Sequence, residues 1–192
     1  MLKKKVIIVT DGDLVAQRAV EAAAKNIGGR CISRSAGNPT PISGKEIVEY
    51  IKQAKYDPVV VMVDDRGDTH KGDGEEAMEY ILNCGEVDVL GVIAVASNTN
   101  GVRGIKVDYS IDRNGNIVKK GVDKSGLAKE DKIVKGDTVD VLNDKRAPII
   151  IGVGDIGKMD GFDNVEIGAP IITKAMEEII RRSDKADLKE DE

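Results

Sequence analysis

The chain has few aromatic residues, two cysteines and a single histidine. Its 192 residues include four Tyr, one Phe and no Trp. So few aromatic rings argue against a surface on which nucleic-acid bases stack. One histidine excludes a zinc site built from several histidines. Cys31 and Cys84 are too few for a disulfide framework, so we expect two reduced thiols.

The chain also lacks long apolar runs and an excess of positive charge. No apolar segment approaches the ~20 residues that span a bilayer, since Asp88 and Gly91 interrupt the longest one, over residues 87–96. A net charge of −5 argues against a nucleic-acid partner, which usually meets a clustered basic face. The lysines at 3–5 are followed by neither the apolar core nor the cleavage site of a signal peptide. We therefore expect a protein of a cytoplasm-like compartment.

Short β-branched runs are frequent, and each is followed by acidic residues or glycine. Three of them occupy residues 6–10, 59–63 and 149–151. Uninterrupted runs of this kind suit strands that are buried on both faces, as in a parallel sheet. Capping patterns such as Ser43-Gly44-Lys45-Glu46 predict helices between the runs. The first half therefore predicts an α/β three-layer sandwich with a mainly parallel sheet, Toprim-like or Rossmann-like.

The second half departs from this alternation. Asn114-Gly115 separates two β-prone runs, which is the strongest short signal for a hairpin. We predict an insert over residues 97–136 that contains a β-hairpin over 107–120, and a final helix over 169–182. The whole forms a single domain over residues 1–183, followed by an acidic flexible tail over 184–192.

Carboxylates follow the ends of the predicted parallel strands. Such ends meet at one edge of the sheet, where α/β proteins bind their ligands. Oxygen ligands from several strands are what Mg²⁺ or Ca²⁺ requires, and a metal there could polarise a phosphate or activate water. Helix caps and a solvated turn would explain the same residues without a metal. The candidate acidic edge consists of Asp11, Asp13, Asp64, Asp65 and Asp68, with Asp155 as a further member; the candidate metal ligands are Asp11, Asp64 and Asp65.

A glycine-rich segment follows the run at 149–151. Residues 152–159, GVGDIGKM, match both GxGxxG and the P-loop pattern. Met159 stands where a P-loop has the Ser or Thr that binds Mg²⁺, and no helix is predicted at Lys158, so we do not expect a nucleotide site. Backbone N–H groups of such a turn could still bind an anion, or the glycines could simply form a tight turn. The candidate anion or partner loop consists of Gly152, Gly154, Asp155, Gly157 and Lys158.

The order of strands and acidic residues resembles the Toprim fold of topoisomerases and primases. That family pairs a Glu after its first strand with a DxD motif after a later one. Here Asp11 stands at the position of the Glu, and Asp64-Asp65-Arg66 stands at the position of the DxD. Because Arg66 replaces the second acid, the resemblance implies a degraded motif and no catalytic residue.

Six stretches of the chain match a second pattern. They are VTDGD at 9–13, GGRCIS at 28–33, GNPT at 37–40, DPV at 57–59, LGVIAVASN at 90–98 and GVGDIGKM at 152–159. Together they resemble one family, the soluble AE subunit (AEa form) of the stage V sporulation A proteins.

This second resemblance implies a biological role. Proteins of this operon move calcium dipicolinate into the developing spore and release it during germination. The resemblance implies a soluble subunit made in the forespore, peripheral to the outer face of the spore inner membrane, with the AD subunit and membrane subunits as partners. It implies no established enzymatic activity, so we expect a non-catalytic accessory subunit that needs no cofactor, with Mg²⁺ or Ca²⁺ as the candidates if one binds.

Two alternatives stay open. The first is a metal-dependent phosphoryl-transfer enzyme of the Toprim type, which would use the candidate metal ligands. The second is a small-anion sensor, in which residues 152–158 and Lys71 hold the ligand.

Overall fold

The computed structural model describes residues 2–67, 71–99, 101–144 and 147–190, with side chains up to residue 185 in the last range. The strands in these residues are β1 (Lys5–Val9), β2 (Arg30–Cys31), β3 (Val59–Met62), β4 (Asp88–Val95), β5 (Ile105–Lys106), β6 (Tyr109–Ile111), β7 (Ile117–Val118), β8 (Ile133–Val134) and β9 (Ile150–Val153). The α-helices are α1 (Leu14–Asn26), α2 (Gly44–Gln53), α3 (Asp73–Asn83) and α4 (Pro170–Glu190).

Seven of these strands form one sheet in the order β2-β3-β1-β4-β9-β6-β7. Neighbouring strands are parallel, except that β7 runs antiparallel to β6. Alternate residues of the central strands face opposite sides, as the period of a strand requires. Val6 and Ile8 of β1 pack with α2 and α3, whereas Ile7 and Val9 pack with α1 and α4. The predicted three-layer α/β sandwich with a mainly parallel sheet is confirmed.

The predicted hairpin is present, and it belongs to the main sheet. The N–H of Gly115 donates to the carbonyl oxygen of Asp112 at 2.9 Å, and Gly115 has a φ of +80° that glycine adopts readily. Strand β6 pairs in parallel with β9, with Tyr109 opposite Ile151. The rest of the insert adds the two-stranded sheet of β5 and β8, which packs over the face that also carries α2 and α3.

Helix α4 is longer than the sequence predicts. It continues to Glu190, into the segment for which an acidic tail is predicted. Glu178, only 5% exposed, accepts hydrogen bonds from Arg181 and Arg182 on its next turn. Such pairs three and four residues apart stabilise a helix. Among the described residues, no helix has both the length and the apolar character needed to cross a membrane.

Candidate functional site

The ends of β1 and β9 bring three carboxylates of the candidate acidic edge together. Asp11 and Asp13 follow β1, and Asp155 follows β9, two places away in the sheet. One oxygen from each of these side chains lies within 4.8 Å of an oxygen from the other two. Geometry of this kind suits a small cation, provided that the oxygen atoms are free to bind it.

A lysine of the glycine-rich segment contacts two of these carboxylates. The Nζ of Lys158 lies 2.7 Å from Oδ2 of Asp13 and 3.3 Å from Oδ1 of Asp155. On the other side, the Nζ of Lys124, from the insert, lies 3.5 Å from Oδ2 of Asp155. We refer to Asp11, Asp13, Asp155 and Lys158 as the lysine-bridged cluster. The ammonium group of Lys158 thus occupies oxygen atoms of two of the three carboxylates that a metal would need.

Burial and charge act differently on the carboxylates of this cluster. Burial, followed by the charge of Asp13, raises the pKa of Asp11 from 3.8 to about 8. Burial also opposes the ionisation of Asp13, but the hydrogen bond from Lys158 and those from backbone N–H groups outweigh it and lower the pKa of Asp13. Near neutral pH the cluster therefore retains a proton on Asp11.

Asp13 has a second, purely structural contact. Its Oδ1 accepts hydrogen bonds from the backbone N–H groups of Val15 at 2.8 Å and Ala16 at 2.9 Å. These are two of the N–H groups that the first turn of an α-helix leaves without partners. Asp13 is thus the N-cap of α1, as the non-metal explanation of the acidic edge requires.

Asp64 and Asp65, the other two candidate metal ligands at the edge, are each only 4% exposed. Asp64 accepts hydrogen bonds from the N–H groups of Gly12 and Arg66, both at 3.0 Å. Asp65 accepts from the first turn of α3, at 2.6 Å from the nitrogen of Gly74. Burial is the main cause that raises the pKa of both carboxyl groups to about 6.

These contacts give Asp64 and Asp65 a structural role, because both side chains hold backbone N–H groups in place. In the part of the chain that the structure describes, neither belongs to a group of carboxylates close enough to share an ion, so the predicted ligand set of Asp11, Asp64 and Asp65 is not assembled. Asp68 lies outside the described residues. A Cβ at Gly74 would lie 2.6 Å from the nitrogen of Asp64, so the glycine permits this close packing.

The glycine-rich segment is packed against the rest of the chain. The N–H of Asp155 donates to the carbonyl oxygen of Lys124 at 2.8 Å, and the N–H of Gly157 donates to Oδ2 of Asp163 at 3.0 Å. A Cβ at Gly154 would lie 2.6 Å from the nitrogen of Gly126. These N–H groups have partners, which favours the tight-turn explanation of the glycines over a backbone site for an anion.

The other members of the predicted anion site are engaged elsewhere. A Cβ at Gly152 would lie 2.5 Å from Oγ of Ser110 in β6, so this glycine allows the insert strand to pack. Lys71 forms an ion pair with Glu79 of α3. Helix α3 covers the face of the sheet opposite to α1. Instead of Lys71, it is Lys124 of the insert that contacts residues 152–158, through Asp155. The sequence pattern did not identify this lysine.

Exposed apolar side chains occur on α1 and in the segment before α4. The side chains of Leu14 and Ile167 are 63% and 62% exposed. A Cβ at Gly157 would lie 3.0 Å from Cγ1 of Val15. The segment Val165–Ile167 packs against α1, near Asn26 at the end of the helix that is remote from Leu14. We define the apolar surface by five exposed side chains: Leu14, Val15, Phe162, Val165 and Ile167. Exposed apolar groups of this kind are candidates for a contact with another protein.

The fold and the site define a class: a three-layer α/β protein whose acidic strand ends are neutralised by its own lysine and backbone N–H groups. The chain belongs to the family described as stage V sporulation protein AE1, whose model matches residues 5–183. It is thus a sporulation-related protein. No curated protein and no solved structure matches the chain. The resemblance to the Toprim fold therefore stays a prediction.

Proposed function

We propose that this protein is a non-catalytic accessory subunit of the assembly that moves dipicolinic acid into the developing spore and releases it during germination. It acts by binding other stage V sporulation A proteins, among them the AD subunit and membrane subunits, at the outer face of the spore inner membrane. Its membership of the stage V sporulation protein AE1 family supports the link to sporulation.

The position of Lys158 carries the non-catalytic part of this proposal. A divalent cation and an ammonium group compete for the same carboxylate oxygens, because both need negative charge at close range. Here the ammonium lies within 3.3 Å of both Asp13 and Asp155. Asp64 and Asp65 satisfy backbone N–H groups instead. Carboxylates held in this way support the fold, which favours a non-catalytic role over metal-assisted chemistry at this edge.

The apolar surface supports the binding part of the proposal. It consists of exposed side chains of α1 and of the segment before α4, and Leu14 and Val15 directly follow Asp13 of the cluster. Exposed apolar side chains with charged groups near them have the composition of a protein–protein contact.

Co-isolation from sporulating cells tests the proposal. A tagged chain, expressed at native abundance, should recover the AD subunit or membrane subunits after mild detergent extraction. The double variant Leu14→Ser/Ile167→Ser should recover at least about tenfold less, since a loss of 1.4 kcal/mol suffices for that factor, and its spores should contain less dipicolinic acid. Tyr56→Ser is the matched control, because Tyr56 is 59% exposed outside the apolar surface. Recovery no greater than from an untagged strain would overturn the proposal.

One observation favours the metal-dependent alternative. Asp11, Asp13 and Asp155 present oxygen atoms within 4.8 Å of one another, and Lys158, with a side chain 41% exposed, could move aside. Titration calorimetry with MgCl₂ and MnCl₂ distinguishes the two functions. The accessory-subunit proposal expects no saturable heat, whereas binding that Asp155→Asn abolishes would establish the alternative.

A further inference from the structure

A cavity of about 280 Å³ lies beside the lysine-bridged cluster. Asn98 after β4 and Asp155 after β9 line its core side, and Lys124 and Ser125 of the insert line the other side. The hydrogen bond from the N–H of Asp155 to the carbonyl oxygen of Lys124 fixes the insert at this position. The cavity is therefore built by two separate parts of the chain.

The cavity lies next to a position where α/β proteins bind ligands. After β1 the chain builds β2 and β3 on one side of that strand, whereas β4 and β9 lie on its other side. A reversal of this kind leaves a crevice outside the carboxyl ends of the two strands at which it occurs, here β1 and β4. Asn98 and Asp155, which line the cavity, follow β4 and β9, so the cavity and the crevice share β4.

Each carboxylate that lines the cavity has at least one partner. Asp155 pairs with Lys158 through one oxygen and with Lys124 through the other. The Oδ2 of Asp160 lies 3.7 Å from Nη1 of Arg113. The Oδ1 of Asp123 accepts from the N–H of Leu127 at 3.0 Å. A ligand that offers donors to Asp155 would have to displace both of its ion pairs.

The donor groups have capacity to spare. The Lys124 side chain is 44% exposed and has one ion pair, at 3.5 Å, which leaves ammonium protons directed elsewhere. In the ranges that the structure describes, the Ser125 hydroxyl and the Asn98 amide have no hydrogen-bond partner, and both residues line the cavity. These free donors can bind a ligand that accepts hydrogen bonds.

We propose that this cavity binds a small anion through its charged oxygen atoms, of the phosphate or carboxylate type. Lys124 supplies the charge, and Ser125 and Asn98 supply directional hydrogen bonds. Lys158 also lines the cavity, but it is paired with Asp13 and Asp155. This site uses side chains at the tip of the insert, and not the N–H groups of the glycine-rich segment, which have partners within the protein. It is independent of the accessory-subunit proposal.

Nuclear magnetic resonance titration of the full chain tests this inference. Sodium phosphate and sodium acetate are added in separate titrations at constant ionic strength, which is maintained with sodium chloride. We expect saturable shifts of the amides of 123–126 and 155–158 with at least one of the two salts. Saturation with phosphate alone identifies phosphoryl oxygen as the ligand, and saturation with both identifies any small anion of this chemistry.

A comparison of two lysine variants tests whether the anion binds at this cavity. Lys124→Gln should weaken the binding at least fivefold, whereas Lys120→Gln, in the same insert but paired with Glu130, should leave it unchanged. Ser125→Ala, which should weaken binding twofold or more, provides a second variant if Lys124→Gln lowers the melting temperature. The absence of saturable shifts, equal affinities in the two lysine variants, or saturation by magnesium chloride alone would each overturn the inference.

Discussion

Asp64 and Asp65 at the end of β3, and Asp13 and Asp155 in the lysine-bridged cluster, are two acidic pairs on the same edge of one sheet. The first pair accepts hydrogen bonds from backbone N–H groups, and the second pair is bridged by the ammonium group of Lys158. A backbone N–H cannot leave without moving the chain, whereas a partly exposed lysine can rotate away. The first pair therefore fixes the fold, and the second pair can exchange its partner.

The largest expected effect tests the close packing at the first pair. Gly74 is within α3, where alanine would ordinarily stabilise a helix by about 1 kcal/mol. A Cβ would lie 2.6 Å from the nitrogen of Asp64 and 2.7 Å from its carbonyl carbon and oxygen. We expect Gly74→Ala to lower the free energy of unfolding by about 3 kcal/mol, measured by urea denaturation. Glu76→Ala, exposed in the same turn, is the control, and equal losses would contradict the tight contact.

Removal of the Asp65 carboxylate should have the next largest effect. It accepts from the N–H groups of Gly74 and Glu75, and both would lose their partner inside the protein. We expect Asp65→Ala to reduce the free energy of unfolding by about 2 kcal/mol. Asp65→Asn should lose less because it keeps one acceptor oxygen. Asp73→Ala, exposed on the same turn, should change it by less than about 0.5 kcal/mol; a similar loss there would mean that the buried cap is unimportant.

The second pair should respond to the loss of its lysine by binding cations more tightly. Lys158→Met keeps the apolar stem of the side chain and removes the charge that competes for Asp13 and Asp155. We expect calorimetry to detect saturable Mg²⁺ binding by Lys158→Met, which the parent should lack. Lys120→Met should behave as the parent does. The absence of saturable binding by Lys158→Met would show that the ammonium is not what excludes a cation.

The smallest effect concerns the pH dependence of stability. The pKa of Asp11 is raised to about 8, and the pKa values of Asp64 and Asp65 are raised to about 6. A carboxyl group with a higher pKa in the folded state binds more protons when folded, so the free energy of unfolding falls as pH rises from about 4 to about 8.

Asp11→Asn should separate the contribution of Asp11 from that of Asp64 and Asp65. The variant should lose the decline between about pH 6 and 8, where Asp11 acts alone, and gain at least about 1 kcal/mol relative to the parent over that range. Between about pH 4 and 6 the decline should become smaller but remain, because Asp64 and Asp65 still contribute there. Thermal denaturation at a series of pH values, repeated at high salt to screen surface charges, measures both parts. Parallel curves of stability against pH for the variant and the parent would contradict the raised pKa of Asp11.

Local signals predicted the fold well because they act over a few residues. The capping box at Ser43 and Glu46 is present in both directions at the start of α2, and the Asn114-Gly115 turn joins β6 to β7. The β-branched runs became strands at the centre of the sheet. In each of these patterns, the residues that cause the local structure lie within one short segment of the chain.

The partners of the acidic residues could not be predicted in the same way. Lys158 and Asp13 are 145 positions apart, and their contact depends on how the loops after β1 and β9 meet, although β4 lies between these two strands. The pattern placed acids at the strand ends, but nothing in it distinguished a carboxylate that would meet an ammonium from one that would meet backbone N–H groups. Lys124 gave no signal, since a lysine in a charged loop is ordinarily a solvated surface residue.

The pairing of β6 with β9 has a consequence for any shortened form of the protein. In the intact chain β9 is hydrogen-bonded on both sides, by β4 and by β6. Without the insert, the apolar residues of β9 would border an open row of backbone donors and acceptors, which readily recruits strands from other molecules. The insert thus protects the chain from self-association, and its removal should produce aggregates rather than a smaller, functional domain.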